Sequence, residues 1–417
     1  MRLVLLAAGL AVLSAGICSL HTAAPQVVIL SGDIQGYLSP CGCSTPMLGG
    51  IRRMAGVVRG LEASGHSTLL ENGGMVTGLG RQDEMKAETL VQTLADLDVA
   101  SINIGPDDAR LGPGEILQLS QLAGGKLSSL CVADPEAHSL GTAAPSGPFL
   151  VGGATDYGYA VASVLDSTPI PLDAAVQSLV DEADAERLAP VLMLQGSHDS
   201  AARLARRFPK LALIQYSSIG DPPSKLERVG DTVLATTGER GKRIVALTYA
   251  NGRFEQYRVI SLGPEYRDDP VASRFYAAYL RRVTDEKLLE KLPRAKTALY
   301  AGSSRCVGCH QSAAHVWKSS AHRTAFAILQ SQGHAFDPDC VSCHVTGLAS
   351  TSGYRSATAT PDLVGVGCES CHGPALAHAL NPKTKLPKLS EKACLGCHNP
   401  LNSANFDFAA YWPKIRH

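Results

Sequence analysis

Near its C-terminus the chain repeats the pentad Cys-x-x-Cys-His four times, at residues 306–310, 340–344, 368–372 and 394–398, here called the first to fourth pentads. In such a pentad the two thiols bond to the vinyl groups of a haem, and the histidine becomes the proximal ligand of its iron. Paired Cys-x-x-Cys segments also form structural zinc sites, but zinc does not require a histidine after each pair. The four copies therefore predict four covalently bound c-type haems. The predicted attachment residues are Cys306, Cys309, Cys340, Cys343, Cys368, Cys371, Cys394 and Cys397, and the predicted proximal ligands are His310, His344, His372 and His398.

Five further histidines of this region are candidates for the sixth ligand position of the irons. A bis-histidine iron is low-spin and suits electron transfer, whereas an open sixth position permits ligand chemistry. One candidate follows the third proximal histidine by only six residues, so we expect it to bind the iron of a neighbouring haem. The five candidates are His315, His322, His334, His378 and His417.

The N-terminus has the pattern of an export signal. Arg2 precedes an apolar run over residues 3–17, and Ala24 fits a small-residue cleavage site. Cys18 offers a lipoprotein alternative, although the residue before it is not small. We therefore expect a signal peptide over residues 1–24 and a periplasmic or extracellular location. No later segment has the length and hydrophobicity of an integral membrane span. The chain has 38 basic and 38 acidic residues, and this equal balance does not indicate a nucleic-acid partner.

The region between the signal and the pentads alternates short apolar runs with amphipathic stretches. Short apolar runs bounded by Gly, Pro and Asp are typical of buried strands, and apolar residues at every third or fourth position are typical of helices. The last two apolar runs are joined by Asn251-Gly252, which favours a tight hairpin turn. This order predicts a layered α/β domain. Predicted strands cover residues 26–33, 67–74, 99–105, 190–194 and 211–215, and predicted helices cover 51–61, 83–97, 199–208 and 269–292.

Five stretches of this region resemble the calcineurin-like metallophosphoesterases, and among them the 5′-nucleotidase branch. They read GDIQG, GGIRRMAGVVRGL, LLENGGMVTG, INIGPDD and VGDTVLATTGERGKRIVALTY. The resemblance implies an αββα four-layer sandwich that holds two metal ions at the ends of its strands. We accordingly expect such a domain over residues 26–265, a helical linker over 266–299, and a mostly α, haem-packed cytochrome domain over 300–417.

The metal-ligand motifs of the phosphoesterase family are mostly absent. Asp33 matches the first aspartate, but Gln35 replaces the family's histidine, and Gly74 replaces its bridging aspartate. The stretch at 105–108 lacks the family's asparagine and histidine. A dinuclear site needs carboxylate and imidazole ligands around both metals to generate a hydroxide nucleophile. We therefore expect a catalytically degenerate domain, in which His198 is either a remnant ligand or a cap or surface group.

Three cysteines of the mature N-terminal region lie outside the pentads, namely Cys41, Cys43 and Cys131. Neighbouring side chains point apart, so a disulfide between Cys41 and Cys43 would be strained. The open alternatives are a disulfide from one of them to Cys131, an exposed turn, and a thiolate site for a soft metal or for sulfur chemistry.

The haem-rich region resembles the cytochrome c-554 family of tetrahaem electron carriers. The stretches that carry this resemblance are CVGCHQSAAHVWKSSAHRTAF, GVGCESCHGPALAH and FDFAAYWPKIRH. The resemblance implies His322, His378 and His417 as distal ligands and one five-coordinate iron, expected at His344. The other two candidates, His315 and His334, do not fall on the family motif, and either of them remains open as a ligand of the fourth iron.

Together these features predict an exported two-domain protein that moves electrons between redox partner proteins through four haem c groups. The N-terminal domain would dock a partner or position the cytochrome. One alternative is a haem enzyme that acts on a small nitrogen or sulfur compound at the five-coordinate haem. Another is a phosphoesterase with an attached electron-transfer module. The sequence leaves open whether haem domains stack into oligomers.

Overall fold

The structure, a computed structural model, describes residues 25–40, 46–63, 65–133, 140, 142–400, 402–403 and 405–417. The predicted signal segment, Cys18, Cys41 and Cys43 lie outside these residues. Within the described residues the strands are, in chain order from β1 to β14, Gln26–Ser31, Ser67–Glu71, Ser101–Asn103, Leu127–Ser128, Val132–Ala133, Ala144–Ser146, Phe149–Thr155, Thr168–Pro169, Ala189–Gln195, Leu213–Tyr216, Glu227–Val229, Thr232–Ala235, Arg243–Ala250 and Arg253–Ser261.

The α-helices of the described residues are short in the haem region and longer before it. From α1 to α17 they are Ile51–Glu62, Arg81–Asp96, Pro106–Ala109, Pro113–Leu122, Gly158–Val164, Leu172–Glu186, His198–Arg207, Pro270–Asp285, Leu288–Lys291, Ser303–Val307, Gln311–Lys318, Ala321–Gln332, Pro338–His344, Cys368–His372, Leu376–Leu380, Glu391–Leu395 and Phe408–Tyr411, with 3₁₀ turns at Pro361–Leu363 and Trp412–Lys414. No helix in this described part combines the length and the apolar character that a bilayer span requires.

Two six-stranded sheets form the centre of the N-terminal domain. The first has the order β14-β13-β1-β2-β3-β4 and the second the order β11-β12-β10-β9-β7-β6. The neighbours β1, β2, β3 and β4 run parallel, as do β7, β9, β10 and β12. Parallel strands buried on both faces are continuous apolar runs, which explains why β1 and β9 were predictable from sequence.

The alternating side chains of β1 show how the layers pack. Val28 and Leu30 point into a core shared with Met193 of the second sheet, whereas Ile29 belongs to the core under the helices. Helices α1, α2 and α8 cover the outer face of the first sheet, and α6 and α7 cover the outer face of the second. This arrangement is the αββα four-layer sandwich that the sequence predicts.

Most predicted elements are present, with two instructive differences. The predicted helix over 269–292 is two helices, α8 and α9, because Lys287 between them adopts a left-handed φ of 54°. Strand β7, Phe149–Thr155, lies in the middle of the second sheet but carries Gly152 and Gly153, which weaken the strand signal. The predicted hairpin turn is confirmed, since Asn251 joins β13 to β14 with a φ of 52°.

Helix α8 connects the sandwich to the haem region. Asp269 caps it by accepting hydrogen bonds from the backbone N–H groups of Val271 (2.9 Å) and Ala272 (2.8 Å). Its buried face, which includes Tyr276 and Tyr279, packs into the core of the first sheet. Beyond it the chain is mostly short helices around a small apolar cluster, as expected for a cytochrome domain; the cluster contains Leu289, Phe326, Leu329, Val341, Val345, Leu348, Tyr354 and Leu363.

Candidate haem-binding centre

Each pentad forms about one helical turn. In the first pentad the backbone N–H of His310 donates to the carbonyl of Cys306 (3.0 Å), and in the fourth His398 donates to Cys394 (2.8 Å). The second and third pentads end the helices α13 and α14. Residues three apart share one face of a helix, so both thiols of a pentad could reach the same edge of a porphyrin.

Three pairs of histidine rings lie at the separation expected for two ligands of one iron. Imidazoles bound on opposite sides of a metal at about 2 Å per bond have ring centroids about 6 Å apart. Each observed pair joins a predicted proximal histidine of one pentad to a predicted distal histidine from elsewhere in the fold. The pairs are His310 with His378 (6.1 Å), His398 with His322 (6.1 Å) and His372 with His417 (5.9 Å).

Hydrogen bonds at Nδ1 orient several of these imidazoles. His378 Nδ1 lies 2.7 Å from the carbonyl oxygen of Thr384, and His417 Nδ1 lies 3.0 Å from that of Ile415. A histidine whose Nδ1–H donates to a carbonyl presents the lone pair of Nε2 to a metal. Burial lowers the pKa of His322, which keeps that imidazole neutral as metal binding requires. The residues present therefore fit bis-histidine haem ligation.

His344 of the second pentad differs from the other proximal histidines. Its Nδ1 lies 2.7 Å from the carbonyl oxygen of Ala325, so it is oriented like a ligand. Within the described part of the chain, however, no histidine ring pairs with it. His334 packs instead against Tyr276, with ring centroids 5.8 Å apart, and His315 is exposed on α11. Neither of the two open candidates thus lies opposite His344.

Cysteines from different pentads meet, and these contacts give the pentads a spatial order. The thiols of Cys306 and Cys368 are within hydrogen-bonding reach, which joins the first pentad to the third. Cys371 is close enough to Cys394 for their charges to interact, which joins the third to the fourth. The fourth meets the second through another hydrogen-bonded thiol pair, Cys343 and Cys397. The order in space is therefore first, third, fourth, second.

A second cluster of possible ligands includes a predicted haem-attachment residue. One ligand atom each from His334, Asp337 and Cys340 lies within 4.8 Å of the others. Since a thioether bond to haem would remove the thiolate of Cys340, only an imidazole and a carboxylate would remain. We therefore assign no separate metal centre to these three residues.

The carboxylate at the end of β1 is held by direct hydrogen bonds from the protein. Gln195 Nε2 donates to Asp33 Oδ1 (3.0 Å) and to the carbonyl oxygen of Asn72 (2.9 Å), and Ser217 Oγ donates to Asp33 Oδ1 (3.2 Å). A Cβ atom at Gly74 would lie 2.6 Å from Asp33 Oδ1, so an aspartate does not fit at this position without rearrangement. Burial raises the pKa of Asp33 to about 7.

A neighbouring carboxylate is also satisfied without metal. Asp108 is completely buried and accepts backbone N–H bonds from Met75 (2.7 Å), Gly74 (2.8 Å) and Gly105 (2.9 Å). These residues do not fit a dinuclear metal centre, because amide, hydroxyl and glycine groups fill the ligand positions. Sequence reasoning missed Gln195 and Ser217, although both lie at or beside strand ends, where this kind of sheet builds its sites.

The surroundings of two other residues bear on questions that the sequence left open. His198 lies at the start of α7 on the surface, where its Nε2 contacts Glu227 Oε1 at 2.7 Å, so it is not a remnant ligand beside Asp33. Cys131 is buried as a free thiol, with its sulfur 3.6 Å from the carbonyl oxygen of Thr155. The possible disulfide partners of Cys131, namely Cys41 and Cys43, lie outside the described residues, so this alternative stays a prediction.

Comparison with known proteins identifies the haem region. The sequence profile described as cytochrome c554 and c-prime matches residues 305–373. Cytochrome c-554 of Nitrosomonas europaea is 37% identical over 161 residues, which cover 29% of this chain and 68% of that protein. The chain belongs to the cytochrome c-554 family. Membership makes it a c-type cytochrome with haem c as cofactor and redox proteins as partners.

Solved structures similar to this cytochrome show the fold of the N-terminal domain. Sulfate thiohydrolase SoxB of Thermus thermophilus has a TM-score of 0.53 at 17% identity, covering 70% of this chain and 67% of its own. The 5′-nucleotidase precursor of Thermus thermophilus has a TM-score of 0.53 at 17% identity, covering 66% and 61%. NAD nucleotidase of Haemophilus influenzae has a TM-score of 0.54 at 11% identity, covering 68% and 65%. This chain thus spans about two thirds of each, and at these identities the likeness concerns the fold alone.

Proposed function

We propose that this c-type cytochrome is an exported tetrahaem electron carrier that passes electrons between redox partner proteins. The observation that carries the proposal is the set of three histidine pairs about 6 Å apart, each joining a pentad to a distal histidine. Bound haem iron supplies the exchange between ferric and ferrous states, and the chain sets its potential through ligation, burial and hydrogen bonds.

The roles of the residues follow from the pentads and the pairs. The eight pentad cysteines hold the porphyrins as thioethers. The first, third and fourth irons are bis-histidine, through His378, His417 and His322 respectively, opposite their proximal ligands. The second iron, on His344, has an open sixth position. Direct support for this difference is the absence, among the described residues, of a histidine ring paired with His344.

The order of the pentads suggests a direction for partner docking. The first and second pentads lie at the two ends of the row, and the second contacts the N-terminal domain through Lys86 and Asp339. A soluble partner would then exchange electrons near the first pentad, because the N-terminal domain contacts the opposite end of the row. The N-terminal domain over 26–265, joined by the linker over 266–299, would position the cytochrome domain over 300–417 after removal of residues 1–24.

The decisive experiment is a haem count combined with spin-state spectroscopy. Protein expressed in cells that attach c-type haem is purified from the periplasm, and its mass and pyridine-haemochrome spectrum are measured. We expect four haems per chain, with EPR signals of three low-spin irons and one high-spin iron. A colourless protein with the mass of the bare chain would refute the proposal, and four low-spin irons would refute the open position at His344.

A second candidate function rests on the same open position. A haem enzyme that acts on a small nitrogen or sulfur compound would use the iron on His344, and nitric oxide, hydroxylamine or sulfite should then shift its high-spin signal. Absence of any shift excludes this alternative. Phosphoesterase activity is not proposed, because Gln195 and Ser217 hold the carboxylate that a metal would need.

A further inference from the structure

The helix that carries the second pentad is held by the N-terminal domain. Gln82 of α2 donates from Nε2 to Asp337 Oδ1 (2.8 Å), the N-cap residue of α13. Lys86, one turn further along α2, forms an ion pair with Asp339. Both side chains therefore reach from one face of α2 to the first turn of α13, which ends at His344.

Helix α8 completes this contact from the other side. The hydroxyl of Tyr279 donates to Asp337 Oδ2 (3.4 Å), and the hydroxyl of Tyr276 lies 3.4 Å from Nδ1 of His334. Asp337, His334 and the attachment residue Cys340 are themselves neighbours within 4.8 Å. The polar contacts between the two domains therefore lie beside Cys340, the residue predicted to bind the second haem.

Lys86 supplies the positive charge at this contact, where Asp337 and Asp339 supply negative charges. Asp337 is buried and Asp339 is half-exposed, while Lys86 is only 7% exposed. Besides Asp339, the ammonium group has Asp83 at 3.9 Å. Burial opposes the charged form of Lys86, but the surrounding carboxylates raise its pKa overall, so it is an ammonium. A buried charge that loses its partner is strongly destabilising, which makes this lysine more than a surface ion pair.

We infer that the N-terminal domain forms part of the environment of the haem held by Cys340, Cys343 and His344. In this environment the positive charge of Lys86 offsets the negative charges of Asp337 and Asp339. This inference rests on the proposed haem at the second pentad. A positive charge near an iron favours the ferrous state, and a negative charge favours the ferric state. The degenerate phosphoesterase fold thereby acquires a role in setting the potential of one haem.

The test is a series of charge-neutralising variants of the full-length holoprotein, each studied by redox titration with optical and EPR detection of each haem. Lys86→Met should raise the ferric-to-ferrous ratio of the second haem at least threefold at a fixed applied potential. For a one-electron couple, this corresponds to a fall of about 28 mV in the reduction potential of that haem. Asp339→Asn should shift the same haem in the opposite direction. The double variant should lie near the wild type, and Lys86→Arg should retain the wild-type potential.

Lys210→Met is the matched control, because it removes a lysine that pairs with Asp184 on the outer helix α6. It should leave all potentials unchanged. Shifts of equal size in every haem, or shifts of the same sign for Lys86→Met and Asp339→Asn, would mean a loss of structure and overturn the inference. Unchanged potentials in a protein that holds four haems would also overturn it while leaving the proposed function intact, whereas a haem-free protein would refute the proposed function itself.

Discussion

Replacing Asp33 by asparagine should stabilise the protein above neutral pH. Burial raises the pKa of Asp33 from 3.8 to about 7, and the hydrogen bonds from Gln195 and Ser217 only partly oppose this effect. Between these two pH values the folded protein keeps a proton that the unfolded chain releases, so the free energy of unfolding falls as the pH rises. At about 1.36 kcal/mol per pKa unit, the loss reaches about 4 kcal/mol above pH 7.

Asparagine has the same shape but cannot ionise. Its carbonyl oxygen can accept the hydrogen bonds of Gln195 and Ser217, while its amide nitrogen takes the place of Asp33 Oδ2, a buried atom without a hydrogen-bond partner. An unpaired buried polar group costs about 1–3 kcal/mol. The net gain for Asp33→Asn is therefore about 1–3 kcal/mol at pH 8. It should be smaller at pH 5 and disappear below the ordinary carboxyl pKa of 3.8, where Asp33 is protonated in both the folded and the unfolded chain.

The assay is urea unfolding followed by far-UV circular dichroism at pH 5 and pH 8, with haem absorbance as a separate probe of the cytochrome domain. Asp98→Asn serves as the control, since that carboxylate is 96% exposed and pairs only with Lys126 among the ion pairs found. Its replacement should change the free energy of unfolding by less than about 0.5 kcal/mol. If Asp33→Asn were less stable than the wild type at pH 8, Asp33 would be an ionised group with a cationic partner, and the metal-free interpretation of this site would fail.

The remaining predictions concern the haem ligands and the degenerate site. His322→Ala should convert the fourth haem from low-spin to high-spin and make it bind carbon monoxide. His315→Ala, on the exposed side of α11, is the control and should leave the EPR spectrum unchanged. Identical spectra for both variants would contradict the pairing of His322 with His398. Gly74→Asp should destabilise the protein by about 1–3 kcal/mol without creating Mn²⁺ binding, because Gly74 has a φ of 65° and its Cβ would contact Asp33. Gly230→Asp is the matched control, because Gly230 has a φ of 61° and a Cβ there would meet no atom within 4 Å; equal losses for the two variants would show that the contact with Asp33 does not matter. Excess chelator or Mn²⁺ should not shift the unfolding midpoint of the wild type, and calorimetry that detected two tightly bound Mn²⁺ ions would contradict this.

The proposed covalent chemistry of this protein is a local property, so the sequence alone is enough to predict it. A pentad is a single helical turn, so the spacing of Cys306, Cys309 and His310 already predicts that two thiols and an imidazole can reach one haem. Buried parallel strands are equally local signals, since a strand covered on both faces must be apolar throughout. For the same reason β7 escaped prediction, because Gly152 and Gly153 remove the side chains that mark a strand.

Only the tertiary structure decided which distant groups meet. His322 lies 76 residues before His398 in the chain, and no periodicity pairs them; the packing of short helices does. Gln195 and Ser217 likewise contact Asp33 because β9 and β10 end at the same edge as β1. Lys86 pairs with Asp339 because α2 faces α13. Hydrogen bonds and ion pairs depend on distance in space, whereas a sequence records only distance along the chain.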